Sequence, residues 1–353
     1  MKKIAIILPS LKFGGAERVS LNLAKAFKNK GYNVDILLMK YTGEFIEEAK
    51  IDLNIVDLNC NKTYKLPLKI SKYIINNKPD IIISNFWKIN LCTCVVKIMF
   101  RSLKLILWEH SPPSKTPTSP IWLYYPTVSL LYKMANSVVA VSEGVKLDII
   151  KSSIGLSNKI IKIYNPVAPP SFDDFEIKKN QTSDSIVIIS VGRLDPQKNP
   201  KLLIKAFARV AQNNNNVKLL IIGDGILRKD LEKLCEDLKI SDRVRFAGFV
   251  LNPYHYLKKS DIFILTSDYE GLPTVIIEAL YCGLPIISTD CPSGPRELLE
   301  NGKYGLLVEL NNLDQLVNAI ELQLSMQKSD KSKIYAMENF SPEIIVDKFI
   351  KLL

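Results

Sequence analysis

Residues 262–288 read IFILTSDYEGLPTVIIEALYCGLPIIS, and an architecture can be read from them. Ile262 to Leu265 and Pro285 to Ser288 are short apolar runs, as expected of strands covered on both faces. Between them a polar loop, Ser267 to Thr274, gives way to the apolar segment Val275 to Leu280. Pro273 suits the first turn of a helix there. Strand, loop, helix and strand in that order make the unit of a parallel sheet.

The same rhythm runs along the chain. Ile4 to Leu8 precedes a helical segment at Ala16 to Lys30, and Ile186 to Val191 precedes another at Pro200 to Gln212. Val34 to Met39, Ile81 to Ser84, Leu105 to Trp108, Ser137 to Val141, Lys218 to Ile222 and Val244 to Phe246 read as further strands. The class is α/β, with each half doubly wound. At 353 residues two domains are expected. Asn165 to Pro170 is proline-stiffened and Asp173 to Ser185 is polar, which puts a linker there and domains at 1–170 and 171–340. In residues 341–353, Ile345, Val346, Phe349, Ile350 and Leu353 recur at helical spacing, so this segment should dock, packing back toward the first domain.

Composition narrows the function. The apolar stretch around Leu91 to Trp108 is broken by Lys97, Arg101 and Lys104, against a spanning helix, and Ile4 to Leu8 is too short for a signal peptide. The six cysteines form no CxxC pair and have only His110 and His255 as histidine company, so neither zinc nor a disulfide framework is indicated. Reduced, buried thiols in a cytoplasmic protein fit better. Residues 1–170 carry 24 Lys and Arg against 11 Asp and Glu, a balance of +13, whereas residues 171–353 carry 23 against 25, a balance of −2. The first half therefore suits an anionic partner, nucleic acid or a membrane face, unless it reflects lysine-rich composition alone. It lacks the interleaved cations and aromatics of an RNA-binding motif, which argues against nucleic acid.

Several loops carry candidate chemistry. The N–H groups around Gly271, Leu272, Pro273 and Thr274, with the positive end of a helix dipole, lie where phosphate oxygens would fit. Glu270 precedes that helix, within reach of a sugar near a diphosphate. Glu278 lies about one turn inside it among apolar residues, where a carboxylate needs a partner such as ribose hydroxyls. A capping acid plus a surface glutamate explains either residue more easily than both. Arg193 and Lys198 share the loop Gly192 to Asn199 after a strand, one a planar fork and the other a mobile point charge, suited to a departing diphosphate. Gly14-Gly15 forms the first turn between strand and helix, suited to a phosphate or sugar hydroxyl or to a turn alone. Gly223-Asp224-Gly225 lacks the third glycine of a dinucleotide fingerprint. His110 follows a strand of the first half, as a ligand contact or a structural residue.

In order and spacing, GGAERV at 14–19, EH at 109–110, VGRLDPQKNP at 191–200, GDG at 223–225, VRFAGFV at 244–250, EGLPTVIIEALYCGLPIISTD at 270–290 and GLLV at 305–308 resemble the family-4 retaining glycosyltransferases of the GT-B fold. The resemblance covers essentially the whole chain. It implies two Rossmann-like domains facing a cleft, with an acceptor on the first and a nucleotide-sugar donor, by expectation a UDP-sugar, on the second. Glu270 matches the glutamate that contacts the donor sugar and Glu278 the one that binds ribose. Arg193 and Lys198 match the diphosphate-binding pair. Gly14 and Gly15 match the loop near phosphate and acceptor, His110 a histidine on the transferred sugar, and Phe249-Val250 the segment meeting the base. The resemblance implies hexosyl transfer without a metal or other cofactor. Cys291-Pro292-Ser293-Gly294-Pro295 is similar to enzymes that extend polyprenyl-diphosphate-linked or surface glycans. The basic half, with Trp122, Tyr124 and Tyr125, would then meet an anionic bilayer on the inner face of the plasma membrane. A nucleotide-sugar 2-epimerase and a non-catalytic nucleotide-sugar-binding subunit are the competing readings.

Overall fold

The computed structural model describes residues 2–115, 121–153, 155–170 and 185–353, apart from the side chains of residues 121–125. The chain divides into two compact units, Met1–Ala168 with Phe340–Leu353, and Pro169–Asn339. Each has its own parallel sheet. The linker stretch 173–184 and the side chains of Trp122, Tyr124 and Tyr125 lie outside the described residues.

In the first unit the strands are β1 (Lys3–Leu8), β2 (Asn33–Leu38), β3 (Asn54–Asp57), β4 (Ile81–Asn85), β5 (Lys104–Glu109), β6 (Ser137–Ala140) and β7 (Ile160–Lys162), in spatial order β3-β2-β1-β4-β5-β6-β7. Every pairing among them is parallel; Ile4 sits opposite Val34 on one side and Ile81 on the other. The chain first winds outward to β3, then crosses back to β4 and on to β7. Right-handed crossovers therefore put the helices Gly15–Asn29 and Ile46–Asp52 on one face. Leu66–Asn77, Trp87–Met99, Ile121–Leu131 and Glu143–Lys151 go on the other. Ile4 to Leu8 are wholly buried because both faces are covered.

The terminal helix Pro342–Ile350 belongs to this unit, not to the second. It packs along Gly15–Asn29, and Phe349 meets Phe27 and Trp108 edge-on at 6.4 and 5.1 Å. Ile345, Val346 and Phe349 are fully buried. Each such side chain contributes roughly 1.5–3 kcal/mol of apolar burial, so the segment is part of the core.

The second unit has β8 (Ile186–Val191), β9 (Val217–Ile222), β10 (Val244–Gly248), β11 (Ile262–Leu265), β12 (Ile286–Thr289) and β13 (Leu306–Val308), ordered β10-β9-β8-β11-β12-β13. The helix Pro200–Asn213 lays Leu203, Phe207 and Val210 into a core shared with Leu219, Ile221, Leu316 and Ile320. In each sheet the winding reverses once, between β1 and β4 and between β8 and β11. In open parallel sheets ligands bind outside the carboxyl ends of strands at such a reversal.

Candidate active site

In the second unit the reversal point brings together the loops after β8 and β11. Asp195 caps the short turn Pro196–Lys198, its Oδ1 accepting from the Lys198 N–H at 3.2 Å. Asn199, in the left-handed region at φ 44°, then turns the chain into the helix Pro200–Asn213. Three cross-links zip this loop to the one after β11. The Thr266 hydroxyl is 3.0 Å from the carbonyls of both Lys198 and Asn199, the Gln197 side chain donates to the Tyr269 carbonyl at 3.0 Å, and the Asp268 N–H donates to the Gln197 carbonyl at 2.8 Å.

The zipped loops seat Lys198 and Glu270 against each other. Lys198 Nζ is 2.5 Å from Glu270 Oε1, which also accepts from the Ser267 hydroxyl at 2.6 Å. Glu270 is only 6% exposed, so the pair is held in low dielectric and in one geometry. Arg193 is the opposite case. Its side chain is 68% exposed, tethered by Asp195 at 3.1 Å and Gln197 at 3.3 Å. Each cation thus has a carboxylate partner.

Glycines let the neighbouring loops touch through their backbones. A Cβ on Gly223, at φ 130°, would lie 1.9 Å from the Gly192 carbonyl oxygen. The same turn is tied by Gly192 N–H to the Ile222 carbonyl at 2.9 Å and by Gly223 N–H to the Gly248 carbonyl at 2.8 Å. The Gly223-Asp224-Gly225 sequence is therefore an abutment that supports the Arg193 loop. Beyond Gly248, Phe249 is exposed and Val250 is partly buried.

Sequence expectation puts Pro273 inside the first helical turn; the structure puts it one place earlier. Pro273 is the N-cap residue, extended at ψ 95°, and the helix runs Thr274–Tyr281. The extended backbone of Leu272-Pro273 is packed by the loop of residues 291–295, where a Cβ on Gly294 would lie 2.5 Å from Pro273 Cδ. Glu278 is the fifth helical residue and is partly buried. The Cys291 thiol, close to Glu270, is pushed up to about 12 by burial, so it stays protonated and unreactive.

The first unit carries the remaining candidates. Gly14 is the N-cap of Gly15–Asn29 and has no side chain to cap it, leaving that helix end to the backbone. Arg18 of the same motif is structural: Nη1 binds Glu48 at 2.7 Å and the guanidinium lies over the Phe45 ring at 4.1 Å. His110 follows β5 and its Nε2 is 2.8 Å from Asn85 Oδ1 at the end of β4. The Asn85 amide donates to the Ile7 carbonyl at 3.2 Å, which fixes Oδ1 as the acceptor and the Nε2–H tautomer of His110. Nδ1 is buried and has no partner among the described residues. Phe86, its ring tilted against His110 with centroids 5.7 Å apart, has φ 68°, a strained value for a bulky residue. Asn85 and Phe86 escaped the sequence reading, and so did Ser267 and Gln197. A polar residue closing the apolar run Ile81 to Ser84 was the available signal for Asn85.

Burial holds the His110 imidazole down to about 3. The unfolded chain then takes up a proton below about pH 6.5 that the native imidazole refuses, so stability is lost as pH falls from 6.5 toward 3. His110→Gln should remove about 1–2 kcal/mol of the difference in unfolding free energy between pH 7 and pH 5, read from denaturant midpoints. An unchanged difference would mean the ring titrates normally. Next to it, the buried Glu109 carboxyl is pushed up to about 7 by desolvation, against hydrogen bonds from Tyr132 and Asn90.

Among the described residues no group of three or more His, Cys, Asp or Glu side chains converges as a metal site, and no helix is long and apolar enough to cross a membrane.

Comparison with known proteins adds the family. Residues 13–169 match Glycosyltransferase Family 4 and residues 172–340 match Glycosyl transferases group 1. The N-acetylgalactosamine-N,N'-diacetylbacillosaminyl-diphospho-undecaprenol 4-alpha-N-acetylgalactosaminyltransferase of Campylobacter jejuni is 30% identical, across 94% of this chain and 93% of its own. A second C. jejuni enzyme, a GalNAc-alpha-(1->4)-GalNAc-alpha-(1->3)-diNAcBac-PP-undecaprenol alpha-1,4-N-acetyl-D-galactosaminyltransferase, is 29% identical across 100% of this chain and 98% of its own. Anabaena HepE, solved in complex with UDP and glucose, superposes with a TM-score of 0.83 at 21% identity over 99% of each chain. Sucrose-phosphate synthase from Thermosynechococcus elongatus does so at 0.80 and 18% identity, over 100% of this chain and 98% of its own. These likenesses give the fold, which is GT-B. The chain belongs to the glycosyltransferases, its first half a family 4 domain and its second a group 1 domain.

Proposed function

We propose that the protein is a retaining hexosyltransferase that moves a hexose or N-acetylhexosamine from a UDP-sugar to a lipid-linked glycan, at the cytoplasmic face of a membrane and without a metal. The observation that carries this reading is the pair of half-buried Lys198 and buried Glu270 at the reversal point of the second sheet, with Arg193 in the same loop. The acceptor hydroxyl attacks the anomeric carbon from the face the nucleotide leaves. The bond from that carbon to the diphosphate oxygen breaks with its electron pair going to UDP, and the hydroxyl proton passes to the departing phosphate oxygen. Arg193 and Lys198 stabilise the charge developing there. Gly271, Leu272 and Thr274 offer N–H groups at the helix start to phosphate, with Pro273 shaping the turn, Glu278 takes the ribose hydroxyls, and Val250 lies by the base. Glu270 orients the sugar, His110 accepts a hydrogen bond from one of its hydroxyls, and Gly14-Gly15 border the acceptor. UDP as the nucleotide and a polyprenyl-diphosphate glycan as the acceptor are supported by the chemistry named for the relatives.

A donor screen in EDTA tests this, with each common UDP-, GDP- and ADP-sugar and a short-chain polyprenyl-diphosphate sugar. The expected result is nucleotide release that requires both one UDP-sugar and the acceptor, undiminished by the chelator. Conversion of a donor without acceptor would favour the epimerase. Tight donor binding with no turnover would favour a binding subunit, and restoration by added Mg2+ or Mn2+ would overturn metal independence.

A further inference from the structure

Between residues 58 and 142 the chain has eleven Lys and Arg and two acids, Asp80 and Glu109. Glu109 is buried, and the Asp80 carboxylate accepts from the Lys3 N–H at 2.7 Å. This segment supplies +9 of the +13 in residues 1–170. It also builds one layer: the helices Leu66–Asn77 and Trp87–Met99 pack against each other, with the turn Thr63–Lys65 beside them, on the same face of the first sheet.

The inner sides of these helices are core, with Ile70, Tyr73, Ile74, Ile89, Cys94 and Val96 buried. Their outer sides are not polar. Leu68 is 75% exposed and Met99 73%, and Tyr64, Ile75, Val95 and Ile98 are also open to solvent. Leu68 and Ile75 are seven residues apart on one helical stripe, as are Lys65, Lys69 and Lys72 at i, i+4 and i+7 on the ridge beside it. The Tyr64 ring lies under the ammonium groups of Lys62 and Lys65, at 5.9 and 6.0 Å. An aliphatic outer face with an exposed tyrosine and flanking lysines has the chemistry of an interfacial surface: apolar side chains for the acyl boundary, cations for headgroup phosphates.

We infer that this outer face of the helix layer is where the protein lies on an anionic bilayer, the two helices parallel to the membrane plane. The inference rests on the reading that the acceptor is lipid-linked, and it names the surface that reading leaves open. A second copy of the chain is the poorer occupant, because a two-fold contact would set this strongly cationic face against itself. Nucleic acid would make little use of Leu68, Ile98 and Met99.

The test is flotation of the full chain with vesicles of phosphatidylcholine alone and of phosphatidylcholine mixed with phosphatidylglycerol, with neither donor nor acceptor present. Two variants are compared, Ile98→Glu/Met99→Glu and Lys65→Glu/Lys69→Glu. Wild type should float with the anionic vesicles, less as salt is raised, and about tenfold or more weakly with phosphatidylcholine alone. Each variant should lose about tenfold or more of the anionic binding. Unfolding midpoints and turnover on a water-soluble acceptor should stay at wild-type values, which separates lost docking from lost fold. Absence of wild-type flotation, or variants that float as well as wild type, would overturn the assignment. So would a solution dimer that Ile98→Glu/Met99→Glu dissociates while flotation is unaltered, since the face would then belong to a second copy. Because flotation uses no substrate, its failure leaves the transferase reading standing, and failure of transfer leaves the docking face standing.

Discussion

Lys198→Ala is expected to raise the barrier to transfer by roughly 2–4 kcal/mol, a loss of about 30- to 1,000-fold in kcat/KM, in steady-state assays with the donor found by screening. The argument starts from geometry. The ammonium is pinned 2.5 Å from a carboxylate that is 6% exposed, in a turn capped by Asp195 and tied at three points to the loop after β11. A cation fixed in this way needs no reorganisation as charge develops on the leaving diphosphate. Removing it also leaves Glu270, 6% exposed, without its cation, which costs stability. The unfolding midpoint should therefore fall too, and turnover alone would not separate the two effects. Arg193→Ala separates them. That side chain is 68% exposed, so its loss should leave the midpoint within about 0.5 kcal/mol of wild type. Turnover should still drop on the same scale as for Lys198→Ala. A stable Arg193→Ala enzyme with wild-type kcat/KM would remove the diphosphate role from this loop.

What the sequence made legible follows from burial. Of the strands among the described residues, ten could be read from their apolar runs and three could not: β3, β7 and β13. Each of the three is three or four residues long and lies at an edge of its sheet. An edge strand is half open to solvent, so Asn54–Asp57 carries two exposed and two partly buried residues and has no apolar run to detect. The site divides along a similar line. Arg193, Lys198, Glu270 and Glu278 stood out as charges in glycine- and proline-shaped loops. Sequence could not give their pairing, since the contact between residues 198 and 270 depends on which strands are neighbours. Ser267 and Gln197 were invisible for the same reason. Both are ordinary polar residues whose roles exist only once the loops meet.

The Gly223-Asp224-Gly225 segment is where sequence pattern and structure part most clearly, and it carries the second large effect. It lacks the third glycine of a dinucleotide fingerprint; in the fold its first glycine is a spacer between two backbones. At φ 130° Gly223 already has a conformation that L side chains rarely adopt, and a Cβ would lie 1.9 Å from the Gly192 oxygen. Neither partner can move aside cheaply. Gly192 is held by its bond to Ile222, Gly223 by its bond to Gly248, and Leu194 by its bond to the Asp224 carbonyl at 3.0 Å. Gly223→Ala should therefore destabilise the protein by roughly 2–4 kcal/mol, from strain and the clash together. By displacing Gly192 and Arg193 it should also lower kcat/KM by about a hundredfold, the scale expected when a catalytic group shifts by an ångström. The control is Gly302→Ala, in the same unit at φ 100° with nothing within 4 Å of the added methyl. It should cost only the backbone strain, about 1–2 kcal/mol, and leave turnover unchanged. If both substitutions weaken stability alike and neither touches turnover, the backbone contact between Gly192 and Gly223 does not position the Arg193 loop. A selective loss of turnover in Gly223→Ala would make that contact part of the catalytic architecture.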